Sequence, residues 1–270
     1  MRPWLWSLLC ALLFFWNGSA IALAAEPQLP VYTEEQLQQG EVLAKRAIAA
    51  SDKGDFVAAE ADWTQLIEQF PENPAVWSNR GNVRVSQNHL DDAIADFDQA
   101  IQLAPLAPEP YLNRGTAYEG QGRYETAIAD YNKVLQLSPD EAAAYNNRGN
   151  AEAGLGEWDS AIADYQKATE LEPSFAFARA NYALALYQNG RQAEALQALR
   201  NIARKYPMFP DVRAALAAVL WERGQQGEAE SNWVAAVGLD NRYQNIQWVE
   251  EIRRWPPVMV AALDKFLQLE

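Results

Sequence analysis

The chain has few of the side chains that most often carry out chemistry. Its 270 residues include a single cysteine, Cys10, and a single histidine, His89. Metal sites built from His and Cys need several such ligands, so these counts exclude them. The sequence also has no nucleophile motif and no phosphate-binding loop. We therefore predict a protein that is not an enzyme, with no catalytic residue and no metal or other cofactor.

Basic residues are also scarce. There are 22 Lys and Arg residues against 36 Asp and Glu residues, which gives a formal net charge of −14. Binding to nucleic acid through its phosphates needs basic clusters, so this balance predicts no nucleic-acid partner. The many carboxylates follow the repeat period described below, which favours a structural role. His89 falls in a turn between two predicted helices, where a solvated side chain is a simpler interpretation than a catalyst.

The longest apolar run is at the N-terminus, and it predicts export across a membrane. The run MRPWLWSLLCALLFFW carries one positive charge before its apolar core, and Ala22-Leu23-Ala24 then supplies small residues at the spacing that signal peptidase reads. This pattern predicts a signal peptide over 1–25 that is cleaved next to Ala25. The alternative is an uncleaved membrane anchor from Trp4 to Ala25, since about 20 apolar residues can span a bilayer. Cleavage would remove Cys10, and the mature chain would fold without disulfides.

The middle of the chain repeats with a period of 34 residues. The six units are 40–73, 74–107, 108–141, 142–175, 176–209 and 210–243. The first column of equivalent positions holds small residues: Ala47, Gly81, Gly115, Gly149, Ala183 and Ala217. The second column is Ala59, Ala93, Ala127, Ala161, Ala195 and Ala229. The third column holds large residues: Trp63, Phe97, Tyr131, Tyr165, Leu199 and Trp233. The fourth column is Pro71, Pro105, Pro139, Pro173 and Pro207.

This order of residue types resembles the tetratricopeptide repeat (TPR) family, and the resemblance covers about three quarters of the chain. It implies an all-α fold, in which six 34-residue helix-turn-helix repeats form a right-handed superhelix, an α-solenoid. In each repeat the small column would let helix A approach helix B, and the large column would fill the space between them. Residues 26–39 are predicted to form a linker and the start of the first helix. Glycines at the turn within the repeat suit a positive φ angle: Gly54, Gly122, Gly156, Gly190 and Gly224.

Residues 244–270 are predicted to form capping helices that seal the last repeat. We expect one helix from about Asn245 to Arg254, a break at WPP, and a final helix to about Leu269. The alternative is a docking corner for a partner, since Arg253, Arg254 and Trp255 are basic and aromatic in an acidic protein.

Arginine and aspartate occupy linked columns of the repeats. The arginines on helix A are Arg46, Arg80, Arg114 and Arg148. Sixteen residues later, helix B carries Asp62, Asp96, Asp130 and Asp164. The fifth and sixth repeats have lost both, with Tyr182 and Leu216 on helix A and Ala198 and Asn232 on helix B. Residues that appear and disappear together predict an ion pair, in the same or the adjacent repeat, and the planar guanidinium group suits a bidentate contact with a carboxylate. The alternative is a ligand-binding role for these arginines.

Asparagine precedes the arginine in the second, third and fourth repeats, and it holds the same position in the fifth. These residues are Asn79, Asn113, Asn147 and Asn181. This column is similar to the asparagine ladder of the O-linked N-acetylglucosamine transferase superhelix, whose amides hold the backbone of an extended peptide. Neighbouring candidates on the same face are Asn82, Thr116, Asn146 and Asn150. An amide offers a donor and an acceptor, which suits any peptide bond. The alternative is that these amides bond neighbouring helices or water.

The predicted groove becomes apolar in the last two repeats. Phe177, Leu184, Tyr187 and Trp221 occupy groove-type positions there. They would give an apolar anchor if exposed, and core packing is the alternative. Some TPR proteins bind the C-terminal carboxylate of heat-shock chaperones with basic groove residues. The corresponding columns lack Lys and Arg, so we predict that this is not the partner.

The sequence therefore predicts a non-catalytic scaffold that binds an extended peptide or a helix of a partner protein in the concave groove. The NRG and AIADY segments behind a signal look like exported cyanobacterial TPR proteins. That resemblance implies a thylakoid-lumen or periplasmic assembly factor for photosynthetic membrane complexes. The alternative is a structural subunit of an envelope or membrane complex that acts through its outer face or its C-terminal helix.

Overall fold

The computed structural model describes residues 32–268, and these residues form α-helices and one 3₁₀ helix without any β-strand. The predicted signal peptide or anchor lies outside the described residues. The first six helices are α1 (Glu34–Asp52), α2 (Phe56–Gln69), α3 (Pro74–Ser86), α4 (Leu90–Leu103), α5 (Pro108–Gly120) and α6 (Tyr124–Leu137). The next six are α7 (Ala142–Gly154), α8 (Trp158–Leu171), α9 (Ala176–Gln188), α10 (Gln192–Lys205), α11 (Pro210–Glu222) and α12 (Gln226–Leu239). The 3₁₀ helix Asn241–Gln244, α13 (Ile246–Glu251) and α14 (Pro257–Leu267) complete the chain.

The helices pack as consecutive pairs, which confirms the predicted all-α solenoid of helix-turn-helix repeats. In each repeat the odd-numbered helix is helix A and the even-numbered helix is helix B. From α3 to α11, each helix A also contacts the helix A of the next repeat. No pair of helices B makes comparable contact in the part of the chain that the structure describes. Because helices A approach one another more closely, they line the shorter, inner face of the array.

The first helix begins with a reciprocal cap. The Thr33 N–H donates to Gln36 Oε1 at 2.9 Å, and the Gln36 N–H donates to Thr33 Oγ1 at 3.2 Å. This is a capping box, which satisfies two backbone donors at the helix N-terminus. Residues 32–39 belong to one compact unit, and the residues from Gly40 onward belong to another. None of the helices within 32–268 combines the length and hydrophobicity that crossing a bilayer requires.

Small residues on helix A let an aromatic ring of helix B lie against the backbone. A Cβ atom added to Gly115 would come within 2.6 Å of the Tyr131 ring. Gly81 is equally close to Phe97, and Gly149 would place a Cβ 2.9 Å from Tyr165. These glycines are therefore required by close helix packing, as the columns predict.

The turn between helices A and B uses one left-handed residue in every repeat. In five repeats this residue is glycine, with φ between 71° and 79°. In the second repeat Asn88 takes the same place at φ 60°. Asparagine tolerates this conformation better than most other residues, so the turn keeps its shape without glycine.

The predicted Arg–Asp ion pairs form within each of the first four repeats. Arg114 shows the geometry: its Nε and Nη2 donate to the two carboxylate oxygens of Asp130 at 2.8 and 2.7 Å. Its remaining nitrogen, Nη1, donates to Asp98 on helix B of the preceding repeat at 2.5 Å. The equivalent pairs are Arg46–Asp62, Arg80–Asp96 and Arg148–Asp164. One guanidinium group therefore joins three helices, which the sequence comparison did not predict.

The last two repeats replace these ion pairs with apolar packing. The column positions Tyr182 and Leu216 lie on α9 and α11, whose central residues are almost all buried. One hydrophobic core runs continuously from Ala161 in the fourth repeat to Phe266 in α14. The apolar clusters of the second to fourth repeats are small by comparison, with three or four buried residues each.

The C-terminal helices continue the core and also turn back along the inner face. Met259, Leu263 and Phe266 of α14 are fully buried against the array. The Phe266 ring packs edge-on against Trp221 and Trp233, each with ring centroids 5.3 Å apart. Helix α14 contacts α9 as well as α11, so it covers two repeats. The first C-terminal helix ends at Glu251, three residues before its predicted end.

Candidate functional site

A cavity of about 1210 Å³ lies on the inner face of the third to sixth repeats. One wall consists of helices A from α5 to α11, and the opposite wall is residues 250–257, which we call the C-terminal segment. The lining residues that matter below are Glu119, Asn146, Asn150, Phe177, Asn181 and Asp211. A groove that the sequence predicts to be open is therefore partly enclosed at its C-terminal end.

Three asparagines form a hydrogen-bonded cluster in the helix A wall. Asn181 Nδ2 donates to Asn146 Oδ1 at 3.0 Å and to Asn150 Oδ1 at 3.1 Å. The Tyr165 hydroxyl also donates to Asn150 Oδ1, at 2.9 Å. Asn146 in turn donates to Asn147 at 3.1 Å. These amides therefore form hydrogen bonds between neighbouring helices, which was the alternative to peptide binding in the sequence analysis. The hydrogen bonds fix the amide groups at the cavity surface.

The other predicted amides are differently placed. Asn79, Asn82 and Asn113 make no side-chain hydrogen bond to another described residue, and Asn147 only accepts one. Asn82 is exposed, and the others are half-buried. Thr116 is exposed, and its hydroxyl donates to the Leu112 carbonyl one turn earlier. The structure thus leaves amide donors and acceptors unused at equivalent positions of three successive repeats.

Glu119 places a carboxylate on the cavity wall beside the asparagine cluster. It accepts a hydrogen bond from the Tyr131 hydroxyl at 3.1 Å. Its Oε1 lies 3.6 Å from Nη1 of Arg254, too far for a hydrogen bond. Burial raises the pKa of Glu119, although the Tyr131 hydrogen bond and the Arg254 charge act in the opposite direction. Glu119 also faces Tyr165, whose pKa is raised by burial and by the negative charge of Glu119.

Asp211 anchors the C-terminal segment to α11. Arg253 donates to Asp211 Oδ1 from Nε at 2.9 Å and from Nη2 at 2.7 Å. The Trp255 indole N–H donates to the same oxygen at 3.2 Å, and only 5% of Trp255 is exposed. The pKa of Arg253 is raised overall, because burial lowers it by less than the Asp211 carboxylate raises it. The predicted docking corner is therefore wrong for Trp255, which is buried, and stays a prediction for Arg253 and Arg254, whose side chains are 31% and 49% exposed.

One of the predicted aromatic anchors is exposed on the cavity. Phe177 is 54% exposed and packs edge-on against Phe209, with ring centroids 5.2 Å apart. Tyr187 is 2% exposed and its hydroxyl donates to Glu222. Trp221 packs on Phe266 of α14. The prediction of a groove anchor is therefore wrong for Tyr187, because its side chain is buried in the core that is shared with α14. It stays a prediction for Trp221, which is partly exposed.

The sequence comparison missed Glu119 and Asp211. Glu119 is the single acidic residue of its column, in which the next repeat has Ala153, whereas the column of Asp211 also holds Glu41 and Glu109. An acidic residue that breaks such a column is a usable signal for a special role. The sequence gives no such signal that the C-terminal segment forms a cavity wall, because this depends on where the chain folds back.

The described residues contain no group of three or more His, Cys, Asp or Glu side chains able to hold a metal ion. What the cavity wall does offer is amide donors and acceptors, one incompletely paired carboxylate and one exposed aromatic ring. These groups can bind a peptide backbone and its side chains.

Paired helices, an inner cavity and repeated columns together define a helical-repeat protein of the protein-interaction scaffold class. The tetratricopeptide repeat family model matches residues 44–108, 78–142, 112–176, 146–207 and 182–241. These matches cover more than half of the chain, and the protein belongs to the tetratricopeptide repeat family. Members of this family are typically scaffolds without catalytic activity. Comparison with curated protein sequences gives no significant match.

Solved structures share the fold at low sequence identity. A tetratricopeptide repeat protein from Parabacteroides merdae ATCC 43184 is 22% identical, with a TM-score of 0.62 over 86% of this chain and 93% of that one. A thermophilic TPR protein of Thermus thermophilus is 20% identical, with a TM-score of 0.59 over 67% and 99%. YrrB, described as a TPR protein with an unusual peptide-binding site, is 20% identical, with a TM-score of 0.52 over 75% and 97%.

Proposed function

We propose that the protein is a non-catalytic scaffold that binds an extended segment of a partner protein along its inner face. The observation that carries this proposal is the column Asn79, Asn113 and Asn147, whose amide nitrogens donate no hydrogen bond to another described residue. Each amide can donate to a carbonyl and accept from an N–H of the same bound backbone. Such contacts do not depend on the side chains of the bound segment.

The spacing of the column suits an extended chain. Packed helices lie about 8–10 Å apart, so successive helices A present one asparagine at roughly that interval. An extended strand rises about 3.3 Å per residue, and three residues therefore span one interval. One amide would contact every third residue of the bound segment. YrrB, a neighbour in fold, is described as having a peptide-binding site, which supports a peptide as the ligand class.

The C-terminal helix is a weaker candidate for the partner surface. Its Met259, Leu263 and Phe266 side chains are buried in the array of the chain itself. Deleting it would expose this core, so loss of a partner after deletion would not separate binding from folding. Export to the thylakoid lumen or periplasm, and assembly of photosynthetic membrane complexes, stay predictions of the sequence.

The proposal is tested with a double variant, Asn113→Ala with Asn147→Ala. Random decapeptides displayed on phage are selected on the purified chain, and the affinities of the selected peptides are measured by isothermal titration calorimetry. We expect the double variant to bind at least tenfold more weakly, because two backbone contacts of about 1 kcal/mol each are lost.

The matched control is Gln102→Ala with Gln136→Ala on helices B, where both amides are exposed. This control is expected to bind like the unmodified chain. If the helix A variant binds as tightly as the unmodified chain while the helix B variant loses affinity, the inner face is not the binding site.

A further inference from the structure

We infer that the inner cavity selects a partner segment that carries both an arginine or lysine and, several residues away, an apolar residue, with Glu119 accepting the cationic group. This inference rests on the proposed function and names the side chains that the bound segment carries. It follows from three properties of the cavity wall, which are the open carboxylate of Glu119, the local charge and the exposed ring of Phe177.

Glu119 has unused capacity as an acceptor. A carboxylate has about four acceptor positions, and among the described residues Glu119 receives one hydrogen bond, from Tyr131. The Arg254 side chain is 49% exposed and lies 3.6 Å away, whereas 15% of the Glu119 side chain is exposed. The carboxylate is thus withdrawn from water, and Arg254, the cation near it within residues 32–268, does not form a hydrogen bond with it.

The cavity as a whole carries an excess of negative charge. Four carboxylates line it, from Glu119, Asp211, Glu250 and Glu251, against the two guanidinium groups of Arg253 and Arg254. Asp211 is satisfied by Arg253 and Trp255, so it is not open to a partner. A cationic side chain is therefore favoured at Glu119, and an acidic segment would be repelled there.

The chain's own C-terminal segment already has the chemistry of this partner. It places Arg254 toward Glu119 with the buried Trp255 directly after it. Arg254 adopts a left-handed conformation, with φ 52°, which is costly for a residue other than glycine. A partner arginine approaching without this constraint can form the bidentate contact that Arg254 does not make, and it would displace Arg254 from Glu119.

We assign Phe177 as the contact for the apolar residue of the bound segment. Its ring is half exposed on the cavity and fixed edge-on against Phe209. Asn150 and Asn181 lie on the same cavity wall as Glu119, where they would contact the intervening backbone. A short segment can therefore reach the amides, the carboxylate and the aromatic ring together.

The experiment uses the phage-selected decapeptides and the full chain. We expect the selected sequences to be enriched in Arg or Lys and to carry an apolar residue about six positions away, since two helix A intervals separate Glu119 from Phe177. Replacing that arginine with citrulline, which is neutral and of similar shape, is expected to weaken binding about tenfold or more. The Glu119→Gln variant is expected to lose the same factor and to bind the arginine and citrulline peptides equally. Glu125→Gln, at an exposed site on α6, is the control and is expected to discriminate between the peptides as the unmodified chain does.

A second variant, Arg254→Gly, removes the competing cation at a position where glycine is conformationally favoured. We expect it to bind the arginine peptides several-fold more tightly. If selected peptides bind through Asn113 and Asn147 but show no preference for a cation, and Glu119→Gln changes nothing, the inference is overturned while the proposed function stands. If no peptide binds, or binding ignores all of these residues, both are overturned.

Discussion

At the scale of single residues, the array depends on charges that are paired inside it. Asp96, Asp130 and Asp164 are buried, and each receives two hydrogen bonds from the arginine of its own repeat. A buried carboxylate that loses its cation has neither solvent nor a counter-charge, so removing one partner costs much more than the pair itself contributes.

Arg114→Ala is predicted to destabilise the protein by about 3–5 kcal/mol, because it leaves Asp130 buried without its cation. The free energy of unfolding is measured in urea. Arg191→Ala is the control, since Arg191 is 42% exposed and its partner Glu194 is 56% exposed, so that carboxylate stays in contact with water. A much smaller loss is expected for the control, and equal losses would contradict the argument.

Glu152 is a buried charge without such compensation. Its Oε2 is buried with no hydrogen-bond partner among the described residues, and burial, together with the negative charge of Asp164, raises its pKa to about 7. The folded chain therefore holds this proton over a pH range, from about 4.5 to about 7, in which the unfolded chain has lost it. Stability contributed by this proton falls as pH rises through that window.

Glu152→Gln is predicted to leave stability almost unchanged at pH 4 and to raise it at pH 8 by about 1 kcal/mol, a value reduced for partial exposure. Urea denaturation at the two pH values gives the comparison. Glu230→Gln, at an exposed position on α12, is expected to show no such difference. A Glu152→Gln gain that is the same at both pH values would contradict the assigned pKa.

At the scale of helices, the distance between helices A and B is set by glycine on one side and an aromatic ring on the other. Gly115 and Tyr131 show how little room is left, since an added methyl group would come within 2.6 Å of the ring. Glycine lowers the intrinsic stability of the helix, but it lets the aromatic ring pack directly against the helix backbone.

Gly115→Ala is predicted to destabilise the protein by about 1–3 kcal/mol, because overpacking outweighs the better helical propensity of alanine. Gly238→Ala is the control, since nothing lies within 4 Å of a Cβ atom there. The control is expected to gain up to about 1 kcal/mol. Thermal and urea unfolding measure both changes, and stabilisation by Gly115→Ala would show that Tyr131 moves aside freely.

Much of this could be predicted from sequence because the repeat gives six observations of each position. The glycine, aromatic and Arg–Asp columns follow from comparing repeats within one chain, and the structure confirms their contacts. The acceptor for Nη1 of each arginine could not be predicted in this way. It is Thr64, Asp98 or Asn132 in successive repeats, and these residues share only the ability to accept a hydrogen bond. The cavity wall beyond Glu250 could not be predicted either, because it has no repeat equivalent.

At the scale of the whole molecule, the two halves are stabilised differently. The N-terminal repeats combine small apolar clusters with ion pairs, whereas the C-terminal repeats share one large core with α13 and α14. In a repeat array each unit contacts only its neighbours, so the halves need not have equal local stability.

Native-state hydrogen exchange is predicted to show this difference. The central amides of α9 and α11 should exchange at least roughly tenfold more slowly than those of α3 and α5, because opening the C-terminal half exposes far more apolar surface. Mass spectrometry of peptic fragments measures both regions in one sample. Uniform protection along the array would mean that it unfolds as one cooperative unit.

The position of Phe266 also has a consequence for synthesis. The ribosome makes the ion-paired repeats first, while the helix that covers Trp221 and Trp233 is made after all six repeats. The core that these rings belong to therefore stays incomplete until α14 has been synthesised. A nascent chain that stalls before α14 would present two uncovered indole rings and the open end of α11, which are features that chaperones and quality-control proteases recognise.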